Sequence, residues 1–514
     1  MEMQLIRKNT LFFKMGLKSS FAKIFAQIIA QKEAKWIQNP IETQNKVFHD
    51  LISGGKNTVF GKDHGFENIQ SYEDFKKQVP IRDYEDLKSY IECVKEGKSD
   101  ILWNGKPLYF AKTSGTTSGT KYIPITKESM PSHINSARNA LLDYIRENKT
   151  ADFVSGKMIF LQGSPELEEK NGIKIGRLSG IVAHFVPKYL QKNRMPSWET
   201  NCIEDWETKV DKVVEETLPE DMTLISGIPP WLVMYFEKLI EKSGKKNIKE
   251  IFPNLNLMVT GGVNYNPYRE KMIELIGEDL DVVQTYPASE GFIAYQNSIH
   301  SDDLLLLLNN GIFYEFIPTE EFFNENPTRI SLKDVELDRD YVLILNTNAG
   351  LWGYNIGDTV RFTSLKPYKI IVSGRIKHYT SAFGEHVIAH EVEQAMQETL
   401  KKFPAQVSEF TVAPEVNPKE GLPYHEWFIE FALAPQNMEE FKRELDQNLR
   451  KLNSYYEDLI SGNILQPLKI SSIQKDGFNA YMKSQGKLGG QNKVPRLSND
   501  RKIADAFGEL GLIE

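Results

Sequence analysis

The sequence predicts an α/β protein in two parts, a large multi-layer N-terminal α/β domain over 1–375 and a small α+β domain over 376–514. Three observations predict it. From about 105 to 375, short apolar runs alternate with helix-spaced segments, the pattern of a mainly parallel, buried sheet between helices. After about 375 the style changes to strands of alternating polarity beside long helices. The chain has 514 residues, 40% apolar and 26% charged. That is the composition of a folded protein, long enough at about 150 residues per domain for two to four domains.

Residues 1 to about 100 read as mostly helical. Asn39-Pro40 is a break, and Gly54-Gly55 closes the next helix at its C-terminal end. Asp83 opens another, with Asp86 at the third helical position as an imperfect capping box. Leu108–Ala111 and Lys157–Leu161 read as short apolar strands. Trp206–Leu218 places Trp206, Val210, Val213, Val214 and Thr217 at helical spacing. Thr223–Ser226 is predicted as a strand feeding a helix near Pro230, where proline suits a first turn. Leu255–Thr260 is predicted as a strand ending at Gly261-Gly262, followed by a helix from Pro267, and Asp281–Thr285 as another strand. Leu304–Phe316 reads as a hairpin, two apolar runs around Asn309-Asn310-Gly311. His386–Leu400 is predicted as a helix and Glu409–Ala413 as a strand. Glu426–Leu433 is predicted as a half-buried antiparallel strand with Trp427, Ile429, Phe431 and Leu433 on one side. Met438–Leu459 reads as one long helix and Leu468–Ile473 as a strand.

Lys plus Arg number 62 and Asp plus Glu 70, a net charge of −8. An acidic chain without a strong basic block is a poor general nucleic-acid binder, although a local cluster can still hold an anion. Cys93 and Cys202 are far apart with no metal spacing. Two buried thiols in a reducing compartment are expected, not a disulfide framework or a zinc site. Leu11–Ala30 is apolar but interrupted by Lys14, Lys18 and Lys23, and it lacks the clean core and cleavage site of a signal peptide. The longest aliphatic run is Leu304–Leu308, far short of the about 20 residues of a membrane span. A cytoplasmic monomer with no integral membrane association is expected. A basic amphipathic N-terminal helix can rest on a membrane, but a helix packed on its own domain is commoner.

The densest chemical signal is Lys112–Lys121, KTSGTTSGTK, after an apolar strand. Its glycines let backbone N–H groups approach a ligand, its hydroxyls add donors, and Lys121 adds charge, a combination suited to a polyphosphate. The rival reading is a flexible Ser/Thr/Gly linker. A Walker A loop is excluded by spacing: Gly115 and Gly119 have three residues between them where that motif needs four, and Tyr122 follows Lys121. Elsewhere, His378, His386 and His390 lie close in sequence, with His386 and His390 at i, i+4 of the predicted helix. Without an HExxH frame, a metal site there is not expected.

The loop resembles the phosphate loop of the adenylate-forming superfamily, which includes acyl-CoA synthetases and firefly luciferase. By that resemblance Thr113, Ser114, Gly115, Thr116, Thr117 and Ser118 bind nucleotide. Further segments resemble the superfamily's motifs in the same order. Val259–Gly262 looks like the glycine pair, Gly261 and Gly262, that lies against adenine. Tyr286–Gly291 (YPASEG) looks like the motif in which the aromatic, Tyr286, stacks on adenine. There the hydroxyl of Ser289 meets the α-phosphate and Glu290 holds Mg²⁺, a hard cation that prefers carboxylate. Tyr354–Asp358 (YNIGD) looks like the motif whose Asp358 accepts both ribose hydroxyls, although Gly-Asp is also ordinary turn chemistry. Gly374-Arg375-Ile376-Lys377, Gly384 and Glu391-Val392-Glu393 resemble the domain hinge, with Lys377 at the hinge position and among the nucleotide-binding residues. Gly489–Arg496 (GGQNKVPR) lies where the superfamily keeps a catalytic lysine, here Lys493.

Two of these segments depart from acyl-CoA synthetases, YPASEG and the GGQNKVPR ending. Both are similar to the auxin-responsive (Gretchen Hagen-type) acyl acid amido synthetases, in their bacterial branch. Trp36–Pro40, Asn57–Gly65 and Val79-Pro80-Ile81 with Tyr84 also resemble that family, over about 20 to 505. The resemblance implies a mobile C-terminal domain and ATP with Mg²⁺ as cofactors. It implies a reaction in which a small carboxylic acid attacks the α-phosphate to give acyl-AMP and pyrophosphate, and an amino acid's amine then takes the acyl group. Lys121, Glu290 and Lys493 would be the catalytic residues, neutralising triphosphate charge and aligning the attack. Arg177 and Ser179, in Gly176–Ile181, are candidates for the acyl pocket, with an ordinary surface arginine an equal alternative. Two other readings stay open: an acyl-CoA ligase of the phenylacetate type, and a non-catalytic nucleotide-binding protein.

Overall fold

The structure, a computed structural model, describes residues 2–114, 120–186, 191–203, 205–262, 265–376, 379–380, 387–415, 418–461, 465–487, 494–498 and 501–514. They form two compact units. One comprises Met1–Val263, Leu275–Ile356 and Val360–Ile371, the other Asn264–Glu274, Gly357–Thr359 and Val372–Glu514. The α/β class predicted from the sequence is what the chain adopts.

The first hundred residues are helical: α1 (Glu2–Gln38), α2 (Pro40–Gly55), α3 (Val59–Asp63), α4 (Tyr72–Gln78) and α5 (Tyr84–Lys95). Pro40 opens α2, where a missing N–H costs nothing. At α5 the capping box is complete. The Asp83 carboxylate accepts from the N–H groups of Glu85 and Asp86, and Asp86 accepts in return from Asp83 N. Cys93 is unpaired and half-buried, as is Cys202. It stands one position off the Leu87–Ile91–Val94 face that enters the core, so the expected full burial does not occur.

Two sheets follow. β1 (Tyr109–Ser114), β2 (Thr120–Ile125), β4 (Glu168–Lys170) and β5 (Ile173–Gly176) form a four-stranded sheet in the order β2-β1-β5-β4. The twelve-stranded sheet takes β3 (Lys157–Phe160), β6 (Arg194–Met195), β7 (Met222–Gly227), β8 (Leu257–Gly261), β9 (Asp281–Ala288), β10 (Gly291–Tyr295) and β11 (Leu304–Leu306). It continues with β12 (Ile312–Pro318), β13 (Ile330–Ser331), β14 (Asp340–Thr347), β15 (Tyr354–Leu365) and β16 (Tyr368–Arg375). Its order is β13-β12-β14-β15-β16-β11-β10-β9-β8-β7-β3-β6.

In the twelve-stranded sheet the expected parallel pairing holds, among the described ladders, only from β6 to β9, while β1 and β5 pair in parallel in the smaller sheet. Beyond β9 the described ladders are antiparallel. Connections explain the change. Parallel neighbours need a crossover, and helices such as Pro229–Ser243 supply one. Between β9 and β10 there are only Ser289 and Glu290, and so short a link can join only antiparallel strands. The predicted hairpin at Asn309–Gly311 does not form, because β14, β15 and β16 lie between β11 and β12. Both runs are buried throughout and each has neighbours on both edges. The turn's own polar groups are used elsewhere: Asn310 Nδ2 donates to Phe292 O, and Gly311 O accepts from Asn348 N at 3.0 Å.

In the second unit, β17 (Tyr379–Thr380) pairs with β18 (Val387–Ile388). The next helix, Ala389–Lys402, starts at Ala389 because Glu391 accepts from Ile388 N at 2.9 Å and closes its first turn. The helix thus begins three residues later than the sequence predicts, and His378 and His386 lie outside the described residues. Among the described residues no cluster of three or more His, Cys, Asp or Glu could hold a metal.

β19 (Gln406–Glu415), β20 (Tyr424–Leu433) and β21 (Lys469–Ile473) form a three-stranded sheet with β20 central. The reading of β20 as half-buried fails. Trp427 and Ile429 pack in one apolar cluster with Phe441 and Leu445, while Phe428 packs in another with Phe478 and Phe507. Helices from distant sequence cover both faces, and Leu433, at the strand's end, is exposed. The predicted long helix is two, Met438–Leu452 and Ser454–Ser461. Asn453 breaks it with an extended backbone, and its side chain accepts from Tyr456 N at 2.8 Å, acting as a new cap.

Glu430, on β20, is buried, and its carboxylate accepts from Asp476 N at 3.0 Å and Phe478 N at 3.2 Å, at the start of the helix Gly477–Ser484. Burial pushes its carboxyl up from 4.5 to about 7, against those two hydrogen bonds. A folded-state value above the unfolded one gives stability that is full below about 4.5 and lost as pH rises through 7. Glu430→Gln keeps an acceptor but cannot ionise. It is expected to raise Tm by ~2–5 °C at pH 8 and to leave it unchanged near pH 4.5. Thermal melts at both pH values check this, and an equal offset at both refutes it.

Candidate active site

β1 and β2 are antiparallel neighbours, with Thr113 opposite Lys121 and Ser114 opposite Thr120. A strand, β2, and not a helix therefore follows the hydroxyl-rich segment. Gly115, Thr116, Thr117 and Ser118 lie outside the described residues, as do Lys377 and Lys493. Lys112 is committed elsewhere, to Glu168 on β4 at 2.6 Å.

The end of β8 and the β9–β10 turn bring the next group together. Gly261 pairs with Thr285 across the ladder. A Cβ on Gly261 would stand 2.6 Å from Thr285 Oγ1, a close approach that explains this glycine. Gly262 has φ +83, a left-handed backbone that favours glycine as the chain leaves the sheet. Tyr286 follows Thr285 directly, half-buried on β9. Ala288 pairs with Gly291, so Ser289 and Glu290 form a two-residue turn, with Ser289 buried and Glu290 half-buried.

Two tyrosines link this turn to the Lys121 strand. Tyr354, fully buried at the start of β15, donates to Glu290 Oε1 at 3.3 Å. Burial, reinforced by Glu290, drives its phenol well above its ordinary pKa, so it stays a neutral donor. Tyr84, the first residue of α5, accepts from Tyr122 N at 3.0 Å, and its ring lies 5.7 Å from Lys121 Nζ. Segment 82–84 runs beside 353–355, with Arg82 N donating to Gly353 O and Asn355 N to Arg82 O, both at 2.8 Å. Lys121, Tyr84, Tyr354 and Glu290 thus form one connected group. In the sequence both tyrosines carry only their likeness to the family's segments. The available signal was Tyr354 opening its motif and Tyr84 following a capping aspartate.

Asp358, part of the second unit, is half-buried inside β15, not in a turn. Gly357 before it has φ +88, and its carbonyl accepts from Ile376 N at 2.7 Å. The ordinary-turn reading of Gly-Asp therefore does not apply.

The segment after Lys493 is firmly fixed within the second unit. Thr411 donates to Pro495 O at 2.6 Å, Val412 N to Arg496 O at 3.0 Å, and Ser498 N to Val412 O at 2.8 Å. Arg496 donates to Glu393 at 3.2 Å, Tyr268 Oη at 2.8 Å, Phe410 O at 2.8 Å, and Glu409. Burial opposes its charge, but Glu409, Tyr268 and Glu393 hold it well above the usual guanidinium value. Glu391 and Glu393, quoted with the hinge motif, thus cap a helix and pair with Arg496.

Arg177 and Ser179 gather at Gln162-Gly163, just past β3. Ser179 Oγ accepts from Gly163 N at 3.3 Å, and a Cβ on Gly163 would meet Arg177 Cδ at 2.9 Å. Lys209, overlooked in the sequence, is buried beside them and donates to Gln162 O at 3.0 Å and Asn201 O at 2.6 Å. Burial lowers its ammonium to about 8. Its signal was a lysine adjoining Val210 and one turn before Val213 on an otherwise apolar helix face.

The GH3 family N-terminal domain matches residues 30–204, the GH3 family central domain 305–375 and the GH3 family C-terminal domain 390–502. The indole-3-acetic acid-amido synthetase GH3.3 of Arabidopsis thaliana is 22% identical over 88% of each chain. A jasmonoyl–L-amino acid synthetase of Nicotiana attenuata is 24% identical over 65% of this chain and 67% of its own. Among solved structures, the GH3.15 acyl acid amido synthetase in complex with 2,4-DB has a TM-score of 0.78 at 16% identity, covering 96% of both chains. A 2-hydroxyisobutyryl-CoA ligase in the postadenylation state has a TM-score of 0.59 at 12% identity, covering 91% of both.

Proposed function

The chain belongs to the GH3 family, and we propose from this that it is an ATP-dependent acyl acid amido synthetase, an adenylate-forming ligase joining a small carboxylic acid to an amino acid. In the first half-reaction a carboxylate oxygen attacks the α-phosphorus and pyrophosphate leaves. In the second the amine nitrogen attacks the acyl carbonyl, AMP leaves, and the amine loses a proton. The single observation that carries the site reading is the Lys121–Tyr84–Tyr354–Glu290 group, with Gly261, Gly262 and Tyr286 on the adjacent strands. It offers an ammonium, an aromatic face, a glycine-lined edge and a carboxylate together, as a bound nucleotide triphosphate requires.

Glu290 fits Mg²⁺ in its chemistry, a carboxylate that accepts from the neutral Tyr354 hydroxyl. Mg²⁺ usually takes one or two protein carboxylates and completes its shell with phosphate and water. When bound, the ion would offset phosphate charge. Lys121 and the Thr113–Ser118 segment bind the phosphates, Tyr286 stacks on the base, Ser289 meets the α-phosphate, and Asp358 accepts from the ribose. Lys493 is assigned to the adenylation step, and residues 376–514 to a domain that moves about Lys377. Two main-chain N–H···O bonds tie 496–498, just after Lys493, to β19, which supports a fixed segment beside the assigned lysine. A bacterial branch of the family, a monomer and a cytoplasmic location belong to the same reading. The unpaired Cys93 and Cys202 agree with a reducing compartment.

ATP–pyrophosphate exchange across a panel of carboxylic acids tests adenylation, and product analysis with amino acids against coenzyme A tests the acceptor. Acid-dependent exchange with amide product is expected. Thioester as the sole product would favour the coenzyme A reading, and ATP binding without exchange a non-catalytic one. Asp358→Ala is expected to raise KM for ATP ~10-fold or more, because charge-assisted hydrogen bonds of ~1.5–3 kcal/mol each are lost. An unchanged KM in initial-rate measurements would make Asp358 structural.

A further inference from the structure

Helix α1 has two apolar faces. One packs inward: Ala26, Ile29 and Trp36 are buried, and the helix lies on α6 (Met130–Asn148). The other is open. Phe21 is 70% exposed, Ile24 59%, Phe25 41% and Ile28 45%. At 100° per residue these four fall within an arc of ~100°, a continuous stripe. The Arg138 guanidinium, 5.6 Å from the Phe25 ring centroid, borders it. Exposed Lys18 and Lys32 stand at its two ends. The neighbouring acid, Glu33, is bonded to Trp36 Nε1 at 2.9 Å on the packed side.

Charge says what covers this stripe. Residues 2–32 carry Arg7, Lys8, Lys14, Lys18, Lys23 and Lys32 against Glu2 alone, in a chain whose net charge is −8. A second copy is a poor occupant: antiparallel stripes would set Lys18 against Lys32, and parallel stripes each lysine against itself. An anionic lipid surface satisfies both features, taking aromatic and aliphatic side chains at the acyl boundary and the lysines among its headgroups. We propose that the Phe21–Ile28 face of α1 docks the protein on an anionic lipid surface. No helix among the described residues is long and apolar enough to cross a membrane, so the association is peripheral and reversible. Each basic residue near such a surface strengthens binding ~5-fold.

The test is sedimentation of the full chain with vesicles of phosphatidylcholine alone or with about one third phosphatidylglycerol. Binding is expected to the anionic vesicles only, weakening ~10-fold or more as NaCl rises from about 0.1 to 0.5 M. Phe21→Glu/Ile24→Glu should lose binding by at least ~10-fold while keeping its melting temperature, since both positions are exposed. No sedimentation, equal binding to neutral vesicles, or unchanged binding by the variant would overturn the proposal. So would a concentration-dependent dimer that the variant dissolves without any vesicle binding. None of these readouts depends on the ligase reaction, so this proposal and the functional one fail separately.

Discussion

Glu290→Ala is expected to abolish acid-dependent pyrophosphate exchange, a loss of ~10³-fold or more, because it removes the protein carboxylate assigned to the metal while the triphosphate keeps its charge. Tyr354→Phe removes only the hydroxyl that holds that carboxylate, a charge-assisted hydrogen bond worth ~1.5–3 kcal/mol. Its loss should be ~10–100-fold, with a raised Mg²⁺ requirement that a purely structural tyrosine would not produce. In the Glu290→Ala background, Tyr354→Phe should cost little more, since the two act through one contact. Exchange rates across a Mg²⁺ titration decide it. Full exchange by Glu290→Ala would remove this carboxylate from the site, and additive losses would separate Tyr354 from it.

The next largest effects should separate the half-reactions. Lys493→Ala is expected to reduce pyrophosphate exchange by ~10²-fold or more, the usual size of one missing electrostatic stabiliser in a water-poor site. Transfer from supplied acyl-AMP to the amine should survive. Lys377→Pro fixes one backbone torsion at the assigned hinge, so it should leave exchange largely intact and slow transfer. Neither substitution alters Arg496 or the 495–498 segment, so the contacts of that segment on β19 offer an internal check on folding. Equal losses in both assays for both variants would refute the two-orientation scheme.

What could be read in the sequence follows the range of the interactions involved. Helix starts at Pro40 and Asp83 are set by neighbouring residues, and they stand where local chemistry puts them. Glu290 and Tyr286 could be singled out as candidates because their motif is contiguous. Strand neighbours were not: nothing within Leu304–Phe316 says that β14 to β16, from residues 340–375, will come between its two apolar runs. Phe428 and Glu430 read as the outer face of a strand because their partners lie far downstream, Phe478 and Phe507 against Phe428 and the N–H groups of Asp476 and Phe478 on Glu430. Asn453 reads as an ordinary helix position until its side chain is seen capping Tyr456. Lys209 was invisible for a different reason, since a lysine is assumed solvated until its surroundings are known.

The short pairing of residues 82–84 with 353–355 bears on how much of the chain can be trimmed. Gly353 has φ +57, and a Cβ there would lie 2.5 Å from Pro80 O, so the two segments were shaped to meet. Any shortened chain beginning after Tyr84 would lose an edge of the site along with its helices, however complete its other motifs. A chain beginning in α2 would keep that edge. Minimal catalytic fragments, circular permutants and chimaeras with relatives should therefore be cut well before Pro80, and exchanges of acid specificity are better sought elsewhere than at this seam.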